Sequence, residues 1–392
     1  MNNKLKSTKE ILADLVAFSI VSGDSNLKIV KYITDYLNSY GVETRLSYDE
    51  TGSKANVFAT IGPQTDDGIM LSGHTDVVTV AGQDWRQPAF SLYEADGRLY
   101  GRGSVDMKGF LALCLSQVPE FIAADLKRPI HFGITYDEEI GSFGAKVLAE
   151  DIQSLPCKPG YCIVGEPTQM KVIAAHKGGY EITTHIKGVD GHSSDPDRGV
   201  SAIHYAVKFM SHLLDVREKL AKTPVANSAF KPAYSSINIG TLNGGISRST
   251  IAAQCDFDWE LRVMPDENGE KILADINTFA QSKLLPAMQK KFPQSSIETI
   301  VGAAYPGLAY RSESDLLNIM NSLTGSDEFS VVAFGTDAGY FQQAGIETVV
   351  FGPGSIEQAH KPDEYIEISQ LIEGIKFMDK LTQWAQCEQE IQ

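Results

Sequence analysis

The chain has 392 residues, 43% of them hydrophobic and 21% charged, with 34 Lys and Arg against 50 Asp and Glu for a net charge of −16. That length predicts two domains, and the apolar share is enough for a sizeable core. The acidic balance argues against nucleic-acid or anionic-membrane partners, which need concentrated Lys and Arg, and no run approaches the roughly 18 apolar residues of a membrane span.

The N-terminal stretch MNNKLKSTKEILADLVAF reads as an amphipathic helix without a signal-peptide core. Cys114, Cys157, Cys162, Cys255 and Cys387 form no CxxC pair and no secreted-type framework, so a cytoplasmic location is expected. Helices are predicted over residues 8–18 and 26–40, with Gly41 as a C-cap. Strands follow at 43–48, 56–61 and 68–72, then a hairpin-like run at 92–100 turning at Asp96-Gly97. A helix over 107–121, a strand at 130–135, a helix to about 153 and a strand at 161–164 complete this half. Such alternation predicts an α/β sheet with helices on both faces.

After about Ala175 the pattern becomes strand (179–187), helix (200–220), strand (234–241), strand (251–263), helix (267–290), strand (296–302). This βαββαβ order predicts a ferredoxin-like α+β domain. The first pattern then returns as a helix at 313–323, strands at 329–333 and 347–351, and a terminal helix from about 368. The expected fold class is therefore a discontinuous α/β/α sandwich, residues 1–176 and 305–392, with an α+β domain inserted at 177–304.

Five residues with metal-ligand chemistry stand in Gly- or Pro-punctuated turns after the strands of the α/β pattern: His74 in SGHTDVV, Asp106 in GRGSVDMKGF, Glu139 in YDEEIGSFGA, Glu166 in GEP and His360 in GPGSIEQAHKPDEY. Singly, each is ambiguous. His74 and Asp76 are either a ligand with its orienting carboxylate or a loop histidine with a capping acid. The run Asp137-Glu138-Glu139 is either a solvated acidic turn or a ligand, Glu139, beside an unligated acid, Glu138, that exchanges protons with a metal-bound water. Together the five can converge at one sheet edge, with Asp106 bridging two metal ions. Two divalent cations balance Asp106, Glu139, Glu166 and a hydroxide, while two neutral imidazoles complete the shells. Nitrogen and oxygen ligands without thiolate suit zinc, cobalt or manganese.

These segments, together with HKGGYEI and GHSSDPDRGVSA, resemble the acetylornithine deacetylase and succinyl-diaminopimelate desuccinylase family of two-metal amidohydrolases, over residues 71–368. GRGSVDMKGF and GPGSIEQAHKPDEY look most like its acetylornithine deacetylase branch. The resemblance implies hydrolysis of N-acetyl-L-ornithine to L-ornithine and acetate in arginine biosynthesis. Desuccinylase, aminoacylase or dipeptidase activity, or a non-catalytic scaffold, are the alternatives. It implies two zinc ions, replaceable by cobalt, one on His74 and Glu166 and the other on Glu139 and His360. Asp106 would bridge them, with a cis peptide bond after it. Glu138 would be general base and acid, and Asp76 would orient His74. The inserted domain would be lid and homodimer surface, with His192 reaching the partner subunit's site and Arg262 pairing with the substrate carboxylate. Thr336 and Ser355 are expected substrate contacts. Ser249 stands where relatives usually carry asparagine, which bears on substrate fit. His131, His185, His204 and His212 are expected to be structural, and no HExxH, GxSxG or phosphate-loop motif occurs.

Overall fold

The computed structural model describes residues 1–387. In chain order the strands are β1 (Thr44–Tyr48), β2 (Ala55–Ile61), β3 (Ile69–His74), β4 (Tyr93–Ala95), β5 (Arg98–Tyr100), β6 (Ile130–Thr135), β7 (Tyr161–Val164), β8 (Val172–His176), β9 (Gly178–Lys187), β10 (Ser236–Gly244), β11 (Gln254–Val263), β12 (Ser296–Tyr305), β13 (Phe329–Val332), β14 (Glu347–Val350) and β15 (Tyr365–Glu367). The α-helices are α1 (Asn2–Ala17), α2 (Leu27–Ser39), α3 (Lys108–Ser116), α4 (Val118–Ala123), α5 (Phe143–Gln153), α6 (Ala202–Ala221), α7 (Gly269–Phe279), α8 (Leu285–Gln289), α9 (Asp315–Thr324), α10 (Ala338–Gln343) and α11 (Ile368–Gln386).

Two compact units result. The first holds Met1–Ala175, Leu308–Val331 and the described residues from Thr336 on; the second holds His176–Gly307 and Val332–Gly335. The sequence alone put the borders after residues 176 and 304; the structure puts them after 175 and 307 and adds 332–335 to the insert. Each unit buries its own apolar cluster.

The first unit is built on an eight-stranded sheet in the order β1-β2-β6-β3-β7-β14-β8-β13. Its centre, β6-β3-β7-β14, is parallel. β3 (IMLSGH) and β6 (IHFGIT) are buried at every residue, as strands covered on both faces must be. The covering helices show at two glycines. A Cβ on Gly73 would meet Met107 and Leu111 of the α3 segment, whereas one on Gly133 would meet Met70 and Leu148 of α5. Met70 and Gly73 point to opposite faces of β3, so α3 and α5 do as well. α3 is buried at every position and runs through the core. α1 buries Thr8, Ile11, Leu12, Leu15 and Val16, the i, i+3, i+4, i+7 stripe of a helix with one covered face.

The single helix expected over 107–121 is two, α3 and α4, because Pro119 in the first turn of α4 cannot extend the preceding ladder. The Leu115 carbonyl accepts the Tyr36 hydroxyl instead. Strands β8 and β15 were not expected; β15 adds three residues to the β4-β5 hairpin by pairing with β5.

In the second unit four antiparallel strands lie in the order β10-β11-β9-β12. On β11, Cys255, Phe257, Trp259, Leu261 and Val263 alternate inward against Ala202, Ala206, Phe209 and Leu213 of α6. This is the ferredoxin-like arrangement. Among the described residues no helix is long and apolar enough to cross a membrane.

Candidate metal centre

Parallel strands expose their carboxyl ends at one edge, and the loops leaving that edge meet there. His74 closes β3, Glu138 and Glu139 follow β6, Glu166 follows β7, and His360 lies in the loop beyond β14. Asp106 precedes α3, and its peptide bond to Met107 is cis. These loops bring all six side chains together. Asp106 stands between the two imidazoles: Oδ1 is 3.2 Å from His74 Nε2 and Oδ2 is 3.2 Å from His360 Nε2. Glu166 Oε1 lies 3.7 Å from His74, and Glu139 Oε2 lies 3.0 Å from His360. Ligand atoms of His74, Asp106 and Glu139, and again of His74, Glu138 and Glu166, fall within 4.8 Å of one another.

So many carboxylates in one place demand positive charge. Burial, with Glu166 nearby, pushes the Glu138 carboxyl well above its usual range. Burial, with Asp106 nearby, does the same to Glu166 and brings Glu139 up to about 7. Asp106 moves the other way: burial pushes it up, yet hydrogen bonds and charge from His360 and His74 outweigh that and hold it below the carboxylate range. His360, hydrogen-bonded to Asp106 and Glu139, is pushed up to about 10. Glu139 Oε1 and Glu166 Oε1 are buried without a hydrogen-bond partner. Unpartnered buried carboxylate oxygens in a cluster with two imidazoles fit divalent cations, whose charge would stand in place of the protons that burial favours on these acids.

Asp76 acts differently from expectation. His74 Nδ1 lies 2.9 Å from the main-chain oxygen of Asp76 and 3.6 Å from its carboxylate. The ring is therefore oriented by the Asp76 carbonyl. The carboxylate accepts the backbone N–H groups of Glu138 and Glu139, at 3.2 and 3.4 Å, and the Ser22 hydroxyl at 2.6 Å. Glycine 23 joins the clamp, its N–H donating to Asp137 at 2.8 Å, while Asp137 also pairs with Lys54. Ser22 and Lys54 carry no motif, and sequence reasoning missed them. It also missed Asp337, a buried carboxylate that accepts the Thr135 hydroxyl at 2.7 Å and that burial brings up to about 6.

Of the expected substrate contacts, Thr336 is 1% exposed, and its hydroxyl accepts the Ala338 N–H at the start of α10. Ser355 is half-buried and receives the Glu357 N–H. On the second unit, Arg262 pairs with Glu260 at 2.8 Å and donates to the Tyr305 hydroxyl, the strand-face arrangement. His192 is exposed, and its Nδ1 receives the Ser194 N–H at 3.2 Å. That bond places the ring proton on Nε2.

Residues 70–384 match the model of peptidase family M20/M25/M40. The chain belongs to that family. It is 33% identical to the acetylornithine deacetylase of Proteus mirabilis over 376 residues, 94% of each chain. The acetylornithine deacetylase of Shigella sonnei matches at 33% over 374 residues, again 94% of each. Among solved structures, the M20 family metallo-carboxypeptidase Sso-CP2 of Sulfolobus solfataricus superposes with a TM-score of 0.77 at 18% identity, covering 97% of this chain and 99% of that one. The YXEP protein of Bacillus subtilis, described as a dinuclear metal-binding peptidase of the M20 family, superposes with a TM-score of 0.64 at 14% identity, covering 97% and 98%. Family membership and the His/Asp/Glu cluster together make this M20 chain a metal-dependent amidohydrolase.

Proposed function

We propose that the chain is an acetylornithine deacetylase that hydrolyses N-acetyl-L-ornithine to L-ornithine and acetate on a two-metal centre, in the cytosol and in service of arginine synthesis. The observation that carries the two-metal reading is Asp106, one carboxylate with an oxygen 3.2 Å from each of two imidazoles. His74 and Glu166 would hold one ion, His360 and Glu139 the other, and Asp106 both. Zinc suits this donor set, and cobalt can replace it. The substrate assignment is supported by relatives of that name at 33% identity over 94% of the chain.

Bound divalent cations would polarise the acyl carbonyl and bring the pKa of a coordinated water to about 7. Glu138, clustered with His74 and Glu166, takes the proton from the attacking water. It then returns that proton to the departing amine nitrogen, so one carboxyl serves as base and acid in turn. Asp76 keeps Glu138 aimed by holding its backbone N–H. The chain forms a homodimer through the second unit, and His192, protonated at Nε2, donates to the oxyanion in the partner subunit's site. Arg262 exchanges its pairing with Glu260 for the substrate carboxylate.

The test is a parallel assay of N-acetyl-ornithine, N-succinyl-diaminopimelate and a dipeptide, with zinc or cobalt added. Fastest turnover of the acetylated amino acid supports the reading; a ranking with it last overturns the substrate. Changing Ser249 to Asn in the same assay reports on the fit of the acyl substrate.

A further inference from the structure

His360 is held differently from the other members of the cluster. His74 is 1% exposed at the end of a central strand, with its ring fixed by a main-chain oxygen. The His360 side chain is 52% exposed, and its backbone φ is +62°. A non-glycine residue in that left-handed region persists only where neighbours hold it.

One neighbour does so directly. Gln83 Nε2 donates to the His360 main-chain oxygen at 2.9 Å. The other end of the same carboxamide, Oε1, accepts from Arg102 Nη2 at 2.5 Å and from Trp85 Nε1 at 3.1 Å. Two donors on the oxygen fix the amide's orientation and turn its N–H toward His360. Arg102, itself buried, pairs through Nη1 with Glu364 Oε2 at 2.6 Å. Glu364 Oε1 in turn accepts the N–H groups of Val105 and Asp106 at 3.0 and 3.2 Å. An unbroken hydrogen-bond path therefore runs from the His360 carbonyl through Gln83, Arg102 and Glu364 to the Asp106 amide. Its two ends are residues whose side chains meet at 3.2 Å.

We infer that Gln83 is a positioning residue for His360, and that it governs the metal position formed by His360 and Glu139 while leaving the one at His74 and Glu166 unaffected. The inference rests on the two-metal reading above. Outer groups that orient a ligand typically contribute about 10- to 100-fold in metal affinity. Here that contribution falls on the one imidazole that lies half in solvent, whereas His74 has its own anchor.

The experiment strips the purified protein with a chelator and titrates zinc back against a chromophoric competitor, with elemental analysis for stoichiometry. Wild type is expected to bind two ions. Gln83→Ala should keep one at wild-type affinity and bind the other about 10- to 100-fold more weakly. Gln83→Glu keeps an acceptor for Arg102 and Trp85 but loses the donor to His360, and should show the same selective loss. The metal-free forms of both variants should melt with wild type. Two ions bound at wild-type affinity in both variants overturn the role of Gln83 and leave the two-metal reading standing. Equal weakening of both ions, or loss in Gln83→Ala alone, also overturns it, since the effect would then run through the fold or Arg102. A wild-type chain that binds fewer than two ions overturns the two-metal reading itself, and this inference with it.

Discussion

Asp76 accepts the backbone N–H of Glu138 at 3.2 Å. The same carboxylate takes the Glu139 N–H and the Ser22 hydroxyl, so it sets the turn that presents both acids. Replacing Asp76 by Ala leaves two buried N–H groups without that acceptor and lets the turn drift, while His74 keeps its main-chain anchor. Turnover should fall by about 100-fold with most metal retained. Metal content measured beside kcat checks this, and loss of the His74-side ion would show that the carboxylate serves the imidazole after all. Ser22→Ala, which removes one hydrogen bond to the clamp, should cost roughly tenfold.

Glu138 and the imidazoles should separate cleanly under mutation. Glu138→Gln or Glu138→Asp is expected to lower kcat by at least about 100-fold with metal content unchanged. His74→Ala and His360→Ala should lose metal. Near-normal turnover in either Glu138 variant would remove it from the proton-transfer role.

Acid stability should depend on His131. This ring is 2% exposed, stacks on Phe58 and meets Thr60 Oγ1 at 2.9 Å. Burial lowers its pKa to about 4. The unfolded chain takes up the proton near pH 6.5 and the folded one only near 4, so the stability of the neutral ring is present above about pH 6.5 and is lost as pH falls. The loss should reach about 2 kcal/mol by about pH 5. Urea unfolding at several pH values should show that His131→Leu lacks this component; identical slopes for the two proteins would refute it.

Gly165 lies against the face of Phe110, and a Cβ there would stand 2.0 Å from Phe110 Cδ1. Gly165→Ala should destabilise the protein by about 1–3 kcal/mol and disturb Glu166 next to it. Combining it with Phe110→Leu should restore part of the loss, because the two changes share one space. Strictly additive effects in denaturant titrations would count against this contact.

The sequence displays His74, Glu139, Glu166 and His360 because each sits in a Gly- or Pro-marked turn after an apolar run, and parallel strands must send such turns to a common edge. Asp106 is different, since it follows β5 of the separate three-stranded sheet rather than a strand of the parallel one. The all-apolar runs of β3 and β6 and the alternation along β11 were equally plain. What stayed hidden depends on distant partners. β15 is three residues that become a strand only by pairing with β5. The Asp76 carboxylate binds backbone N–H groups some 62 residues away, and no residue type marks an amide. Gln83 reaches a carbonyl 277 positions along the chain.

The first unit is written at both ends of the polypeptide, and this sets an order of assembly during synthesis. By the time residue 166 leaves the ribosome, one imidazole and the ligand carboxylates are in the nascent chain, and the ferredoxin-like strands are complete by residue 305. His360 arrives last, together with Glu364, whose carboxylate holds the Asp106 amide. A product truncated between residues 335 and 360 would carry a finished insert and every ligand candidate of the cluster except one imidazole, leaving Glu139 with no His360 nitrogen to face.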